Sequence, residues 1–128
     1  MIQDKVRYQQ FIDYSNLMFG TIHPTDSDGE IEYHDKAWIF FEIKHGNKDI
    51  PFGQRLALER KIDDITRSGK KAVLFVAEHF ISNPGIDIDA AACKVRSFYY
   101  KNKWYNGDGN DLKTYVVRFI DMVDSVFT

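Results

Sequence analysis

The chain has 128 residues, and its 44% apolar and 15% aromatic content is that of an ordered globular protein rather than a disordered one. Its net charge of −2 lacks the basic surplus that is usual for proteins that coat nucleic acid. The single cysteine, Cys93, excludes an internal disulfide framework and a cysteine-based zinc site, and is expected to be a small buried residue.

The first part of the chain predicts a helix and then a hairpin of strands. Apolar spacing over residues 6–19 predicts the helix, and residues 21–24 predict either a short strand or a loop. Residues 30–34 alternate between acidic and apolar side chains, as a half-buried strand does. Residues 37–43 are almost continuously apolar, which predicts a strand buried on both faces. Residues 34–36 have the length of a hairpin loop between these strands.

A second helix is predicted from residue 51 to about residue 68. Asp49-Ile50-Pro51 offers an acidic cap and a proline in the first turn, and Gly69 is a typical stop. The apolar side chains that this helix is expected to bury are those of Phe52, Leu56, Ile62 and Ile65.

The last part of the chain predicts a buried strand at 72–77, then a strand at 94–100 that a turn at 101–102 connects to a short returning strand at 103–105. A loop at 106–110 and an amphipathic helix at 111–127 follow. The order is roughly α-β-β-(β)-α-β-β-α. It predicts an α/β fold in which helices pack on a mixed β-sheet.

Charge is concentrated in two stretches of opposite sign. Residues 26–42 carry six acids against one base, and this stretch could hold a cation. Residues 94–103 carry no acid and four bases, Lys94, Arg96, Lys101 and Lys103. Bases interleaved with aromatic residues can bind phosphates while the aromatics stack on unpaired bases. Alternatively, these aromatics belong to the core and the bases to a solvated strand face.

The end of the strand at 37–43 carries a charged pair. Side chains alternate along a strand, so Glu42 and Lys44 project to the same face. Charges at the end of an apolar strand are costly unless they pair or bind something. The hairpin is expected to bring Asp28, at the start of the preceding strand, beside Glu42. Two carboxylates and a lysine there can hold a divalent cation and orient a water nucleophile.

This constellation resembles the PD-(D/E)XK nuclease superfamily, in particular its RecB-like and small phage-type members. Asp28 matches the isolated aspartate, and Glu42-Ile43-Lys44 matches the E-x-K triplet. Pro51-Phe52-Gly53-Gln54-Arg55 is similar to the start of the helix that carries a glutamine, and the resemblance covers about residues 11–79. The usual Pro-Asp dipeptide is replaced by Pro24-Thr25-Asp26-Ser27-Asp28, so Asp26 is an alternative first metal ligand or a residue of the outer sphere.

The resemblance implies a restriction-endonuclease-like domain over residues 1–128 that hydrolyses phosphodiester bonds with Mg²⁺, for which Mn²⁺ could substitute. Asp28, Glu42 and the Ile43 carbonyl would bind the metal. Lys44 would position the attacking water or stabilise charge on the phosphorane, and Gln54 would support the site from the helix. The implied substrate is DNA, with RNA as the alternative, and Arg55 joins the four bases above as a candidate nucleic-acid contact.

A chain of this length leaves little room for a sequence-reading domain. Structure-selective or weakly sequence-specific cleavage is therefore expected, by an endonuclease or an exonuclease, and a homodimer is one way to enlarge the footprint. The alternative is a nucleic-acid- or partner-binding module that keeps the fold without turnover. In a purely structural interpretation, Glu42 and Lys44 form an ion pair at the sheet rim and residues 26–29 form a turn.

Neither export nor membrane insertion is expected. No apolar run approaches the roughly 18–20 residues that span a bilayer. Residues 1–10 are polar and mixed in charge, unlike a signal peptide. We therefore expect no membrane partner and a location in the cytoplasm of a bacterial or phage-infected cell.

Overall fold

A five-stranded mixed β-sheet with a helix on each face organises the computed structural model, which describes residues 12–13, 15–17, 19, 29–83 and 85–127. Short 3-10 helices lie at Ser15–Leu17 and Ala90–Ala92. The strands and longer helices are, in chain order, β1 (Ile12–Asp13), β2 (Glu30–Tyr33), β3 (Ala37–His45), α1 (Phe52–Arg67), β4 (Lys71–His79), β5 (Ile88–Asp89), β6 (Lys94–Tyr100), β7 (Lys103–Asn106) and α2 (Leu112–Val126).

The main sheet has the strand order β2-β3-β4-β6-β7. Its only parallel pair among the described residues is β3 with β4, whose connection contains α1; the neighbours β2–β3, β4–β6 and β6–β7 are antiparallel. Strands β1 and β5 form a separate parallel pair. The prediction of an α/β fold with helices on a mixed sheet is confirmed at this level.

Two tight turns set the register of the hairpins. His34 and Asp35 have φ angles of 51° and 61°, and Lys101 and Asn102 have φ angles of 50° and 66°. Two successive positive φ angles are the geometry of a type I′ turn, whose twist matches that of the flanking strands. Both hairpins predicted from the sequence are therefore present; residues 34–36 connect β2 to β3, and residues 101–102 connect β6 to β7.

The sheet separates two apolar clusters of different size. The cluster on the α2 face is larger and takes six buried residues from α2. The cluster on the α1 face takes a single buried residue, Ile62, from α1. The buried members on the α1 face are Phe40, Ile50, Ile62, Ala72, Leu74, Val76 and Tyr99. Full burial of one large apolar side chain stabilises a fold by about 1.5–3 kcal/mol, so most of this stabilisation comes from the α2 face.

The first predicted helix, over residues 6–19, is wrong where the structure describes it. Ile12–Asp13 pairs with Ile88–Asp89 as a strand, and Ser15–Leu17 forms one 3-10 turn. The Asp13 carboxylate accepts a hydrogen bond from the Ser15 amide at 2.9 Å, a local bond that competes with helical hydrogen bonding. The other residues of this predicted helix, apart from Phe19, lie outside the described residues. The strand or loop predicted at 21–24 lies wholly outside them.

The start of α1 differs from the prediction in two ways. Asp49 does not cap the helix, since Pro51 precedes it without a side-chain cap. Phe52 was expected in the core but is 71% exposed. Ile50 packs into the α1-face cluster instead, two residues before the helix begins. Of the other expected core residues, Ile62 is buried, whereas Leu56 and Ile65 are partly exposed.

The described helices include none long and apolar enough to cross a membrane.

Candidate active site at the end of β3

Glu42 and Lys44 lie near the end of β3, on the face that α1 covers. The alternation of side chains places both on the same face as Phe40, which belongs to the α1-face cluster. In the parallel pairing with β4, Glu42 lies opposite Val76 and Lys44 opposite Glu78. The side chains of Glu42 and Lys44 are 12% and 23% exposed, so both reach solvent from a largely apolar face.

A glutamine from α1 completes this arrangement. Gln54 Nε2 donates a hydrogen bond to Glu42 Oε1 at 3.0 Å, and Lys44 Nζ lies 3.9 Å from the same oxygen. Because α1 begins at Phe52, Gln54 sits in its first turn and reaches back to the sheet. The structure thus brings together three side chains that are separated by up to twelve positions in the sequence. We call Glu42, Lys44 and Gln54 the β3-end site.

Asp28 and Asp26 lie outside the described residues, and the described chain resumes at Gly29, beside the β3-end site. The Gly29 carbonyl accepts a hydrogen bond from the Phe41 amide at 2.8 Å, one residue before Glu42. Gly29 has a φ of +60°, and a Cβ there would lie 2.6 Å from Phe41 Cδ2. A side chain at this position is disfavoured both by conformation and by space, which explains the glycine.

The Ile43 carbonyl is oriented toward the β2 side of β3, as the Phe41 amide is. Backbone groups of consecutive strand residues point to opposite sides, so residues two apart point to the same side, and the Phe41 amide points toward β2. The Ile43 N–H and C=O therefore also point toward the β2 side. The recorded pairing of β2 with β3 ends opposite Phe40, so this carbonyl lies beyond the described strand.

These groups supply part of a Mg²⁺ donor set. A carboxylate and a backbone carbonyl are hard oxygen ligands of the kind Mg²⁺ prefers. Within the described residues, no three His, Cys, Asp or Glu side chains are grouped closely enough to hold a metal ion. A further carboxylate would have to come from Asp28 or Asp26. The donor chemistry of Glu42 and Ile43 fits a hard divalent cation.

The acidic stretch does not act as one cluster. Lys61 Nζ of α1 lies 3.0 Å from Glu30 Oε1, and Lys70 pairs with Asp35. Glu32 accepts a hydrogen bond from the Asp35 amide at 2.6 Å within the hairpin turn. Three of the six acids are thus held by local structural contacts, which leaves Glu42 as the described acid that sits with Lys44 and Gln54.

The five predicted nucleic-acid contacts are divided between separate places. Arg55 and Arg96 line one cavity of about 250 Å³. Lys101 lies in the β6–β7 turn and Lys103 directly after it, with their Nζ atoms 5.5 Å and 5.3 Å from the centroid of a tyrosine ring. Lys94 begins β6, and the seven residues of this strand span about 20 Å. The basic stretch is therefore not one continuous patch.

The aromatic residues of this stretch are mostly structural. Tyr99 is buried, and its hydroxyl donates a hydrogen bond to Asp63 of α1 at 2.9 Å. Burial and the Asp63 carboxylate raise the pKa of Tyr99 to about 12. Phe98 is partly buried against the α2-face cluster, whereas Tyr105 is 38% exposed. The core interpretation of the aromatics therefore holds for Tyr99 and Phe98.

The cavity beside Arg55 and Arg96 was not predicted from the sequence. A register shift between Val76 and Ala77 places Ser97 opposite Val76 and Val95 opposite Ala77, with Arg96 between them. No local pattern in the sequence indicates this irregularity. The residues that define the cavity, called here the α1–β7 cleft, are Asp49, Ile50, Phe52, Arg55, Val76, Arg96, Ser97 and Trp104.

Comparison of the chain with family models, curated proteins and solved structures finds no match. Any functional assignment therefore depends on the arrangement of the residues themselves.

Proposed function

We propose that this chain is a metal-dependent nuclease of the PD-(D/E)XK type that hydrolyses phosphodiester bonds in DNA. The observation that carries the proposal is the convergence of Gln54 and Lys44 on Glu42 at the end of a buried strand. The triplet Glu42-Ile43-Lys44 and the glutamine were expected together from the motif, and they are close in space. An ion pair without function does not require a glutamine from a separate helix on the same oxygen.

In this proposal, Glu42, the Ile43 carbonyl and Asp28 would hold Mg²⁺, with Asp26 in the outer sphere or as the alternative ligand. The metal would polarise the phosphate and lower the pKa of a bound water. The Lys44 ammonium would orient the attacking water or stabilise the negative charge that develops on the phosphate oxygens. Gln54 is a positioning residue because it acts through Glu42.

The connections of the sheet are consistent with a restriction-endonuclease-like fold. The hairpin β2–β3 would carry the first aspartate and the E-x-K triplet, and the crossover through α1 to β4 would carry the glutamine. Weak sequence specificity, dimerisation, action on RNA, and location in a bacterial or phage-infected cell remain predictions. Each of these depends on the nuclease activity being demonstrated first.

The test is a cleavage assay with labelled duplex, single-stranded, flapped and four-way DNA, each with Mg²⁺, Mn²⁺ or EDTA. We expect metal-dependent cleavage of at least one substrate by the wild type. Glu42→Gln and Lys44→Ala should each lower the rate by orders of magnitude. Loss of one member of a cooperating catalytic unit costs about as much rate as loss of all its members. Asp121→Asn, an exposed acid on α2, is the matched control and should retain the wild-type rate.

Two outcomes would contradict the proposal. Cleavage by a folded Glu42→Gln, Lys44→Ala double variant at the wild-type rate would mean that the activity resides elsewhere or in a contaminant. Binding of DNA by the wild type without cleavage under any metal condition would favour the inert binding module. Circular dichroism of each variant checks that the fold is retained.

A further inference from the structure

The α1–β7 cleft contains an exposed aromatic residue at the mouth of a small cavity. Phe52 is 71% exposed although it begins a helix that packs on the sheet. The cavity of about 250 Å³ is smaller than the roughly 300–1,000 Å³ of pockets that enclose a whole small-molecule ligand. Its size suits one planar fragment of a longer molecule.

The walls of the cleft are built for stacking. The Arg55 guanidinium lies 5.9 Å from the ring centroid of Phe52 and 5.9 Å from that of Trp104. Trp104 is held in place, because its Nε1 donates a hydrogen bond to Glu59 at 2.7 Å. Its ring also packs against Tyr99, with the centroids 5.3 Å apart. Aromatic rings and guanidinium planes are the surfaces on which proteins stack unpaired bases.

The second guanidinium of the cleft is fixed by the backbone. Arg96 donates hydrogen bonds to the carbonyls of Gly46, at 3.2 Å, and Lys48. Each arginine also forms a loose ion pair: Asp49 lies 3.5 Å from Arg96, and Glu59 lies 3.5 Å from Arg55. Charge-assisted hydrogen bonds are shorter, at about 2.7–2.9 Å. The contacts with Gly46, Lys48 and Asp49 therefore hold Arg96 in place as one wall of the cleft.

The cleft lies next to the β3-end site. Val76 lines the cleft, and it is the strand partner of Glu42. Neighbouring strands are about 4.8 Å apart, so the two positions are adjacent. On α1, Phe52 and Arg55 are three residues apart and share a side of the helix, whereas Gln54 contacts Glu42. The first turn of α1 therefore contributes side chains to both the α1–β7 cleft and the β3-end site.

We propose that the α1–β7 cleft binds one unpaired base of DNA, stacked against the surface that Phe52, Arg55 and Trp104 form, in a nucleotide next to the phosphodiester at the β3-end site. A paired base is stacked inside the duplex and cannot enter such a cleft. The proposal rests on the proposed nuclease function for the adjacent site. It names the substrate class as single-stranded or frayed DNA.

The test measures binding in EDTA, where the metal-dependent reaction cannot proceed. A fluorescein-labelled single strand of twelve nucleotides and the duplex of the same sequence are titrated with wild type, Phe52→Ala and Trp104→Ala. Loss of one stacking surface should weaken single-strand binding roughly 5- to 150-fold, with little effect on the duplex. Trp104→Phe keeps a ring and should restore part of the affinity.

Phe80→Ala is the matched control because Phe80 is 66% exposed and does not line the cleft. Single-strand binding by this variant should equal that of the wild type. Phe52→Ala and Trp104→Ala proteins that bind single strands within twofold of the wild type would overturn the proposal. Equal losses for single strand and duplex would also overturn it.

A second measurement keeps the test independent of stability. The chain has two tryptophans, so a Trp38→Phe background leaves Trp104 as the fluorescent reporter. Single-stranded DNA should quench its emission, and duplex should not. Absence of quenching at saturating single strand would exclude stacking on Trp104. Binding of single strands in the cleft without any metal-dependent cleavage would refute the nuclease function but not base binding by the cleft. Metal-dependent cleavage without binding in the cleft would refute the cleft proposal alone.

Discussion

The two faces of the sheet are covered very differently. Helix α2 buries six of its fifteen residues against one face, while α1 buries one of its sixteen against the other. The thinly covered α1 face carries Glu42, Lys44 and the α1–β7 cleft. Burial on the α2 face holds the fold together, and the smaller apolar cover that the described residues give the α1 face leaves polar side chains within reach of solvent and ligand.

The largest effect expected on the α1 face is on the reaction rate. Asp28→Asn should abolish cleavage and metal binding, because Asp28 directly precedes Gly29, whose carbonyl accepts from the Phe41 amide next to Glu42, and because the motif makes it the direct metal ligand. Asp26→Asn should weaken both by about 10- to 100-fold, as is usual for a group beyond the direct ligands. Cleavage assays and calorimetric titration of Mn²⁺ measure the two effects.

Glu32→Gln is the control for this pair, since Glu32 is an exposed acid of the same stretch and is expected to be neutral for the rate. A larger loss in Asp26→Asn than in Asp28→Asn would show that the motif is aligned two residues too late.

The largest effect expected on the α2 face is on stability. Leu112→Ala removes a fully buried side chain and should lower the free energy of unfolding by about 2–5 kcal/mol. Leu58→Ala makes the same chemical change on α1, where the side chain is only partly buried, and should cost about 1 kcal/mol. Urea denaturation of both variants gives the difference. Equal losses would mean that the faces contribute similarly and that the comparison is wrong.

A third prediction concerns the glycine at the entrance to the β3-end site. Gly29→Ala places a methyl group against Phe41 at a positive φ, and should destabilise the fold by about 1–3 kcal/mol. Gly53→Ala, in the first turn of α1 with nothing within 4 Å, should be neutral or stabilise by about 0.4–1 kcal/mol. Thermal unfolding should show a lower midpoint for Gly29→Ala and an unchanged or higher midpoint for Gly53→Ala.

The sequence predicts the β3-end site better than the α1–β7 cleft for a physical reason. A buried strand and the alternation of its side chains are local properties, so Glu42 and Lys44 could be placed on one face without the structure. The cleft depends on the register shift between β4 and β6, which places Arg96 between the paired residues Val95 and Ser97. The first helix was predicted wrongly because Ile12 pairs with Ile88, a contact far away in the sequence.

Each face also has a tyrosine that ties its helix to the sheet. Tyr99 of β6 donates to Asp63 of α1, and Tyr33 of β2 donates to Asp124 of α2 at 2.9 Å. Burial, followed by the hydrogen bond to the carboxylate, raises the pKa of both phenols, to about 12 for Tyr99. Both helices are therefore held by the protonated form of a phenol, although the faces differ in apolar burial.

The smallest predicted effect tests whether the α1 face depends more on this bond. A phenol whose pKa is raised on folding stabilises the fold below the unfolded pKa of about 10, and this contribution is lost as the pH rises toward the folded value. Tyr99→Phe should cost about 1 kcal/mol at pH 7, and it should make stability fall less between pH 10 and 12 than in the wild type. Because α1 buries one residue and α2 buries six, Tyr99→Phe should loosen its helix more than Tyr33→Phe does, seen as faster amide hydrogen exchange in α1. Faster exchange in α2 with Tyr33→Phe than in α1 with Tyr99→Phe would show that apolar burial does not decide how firmly each helix is held.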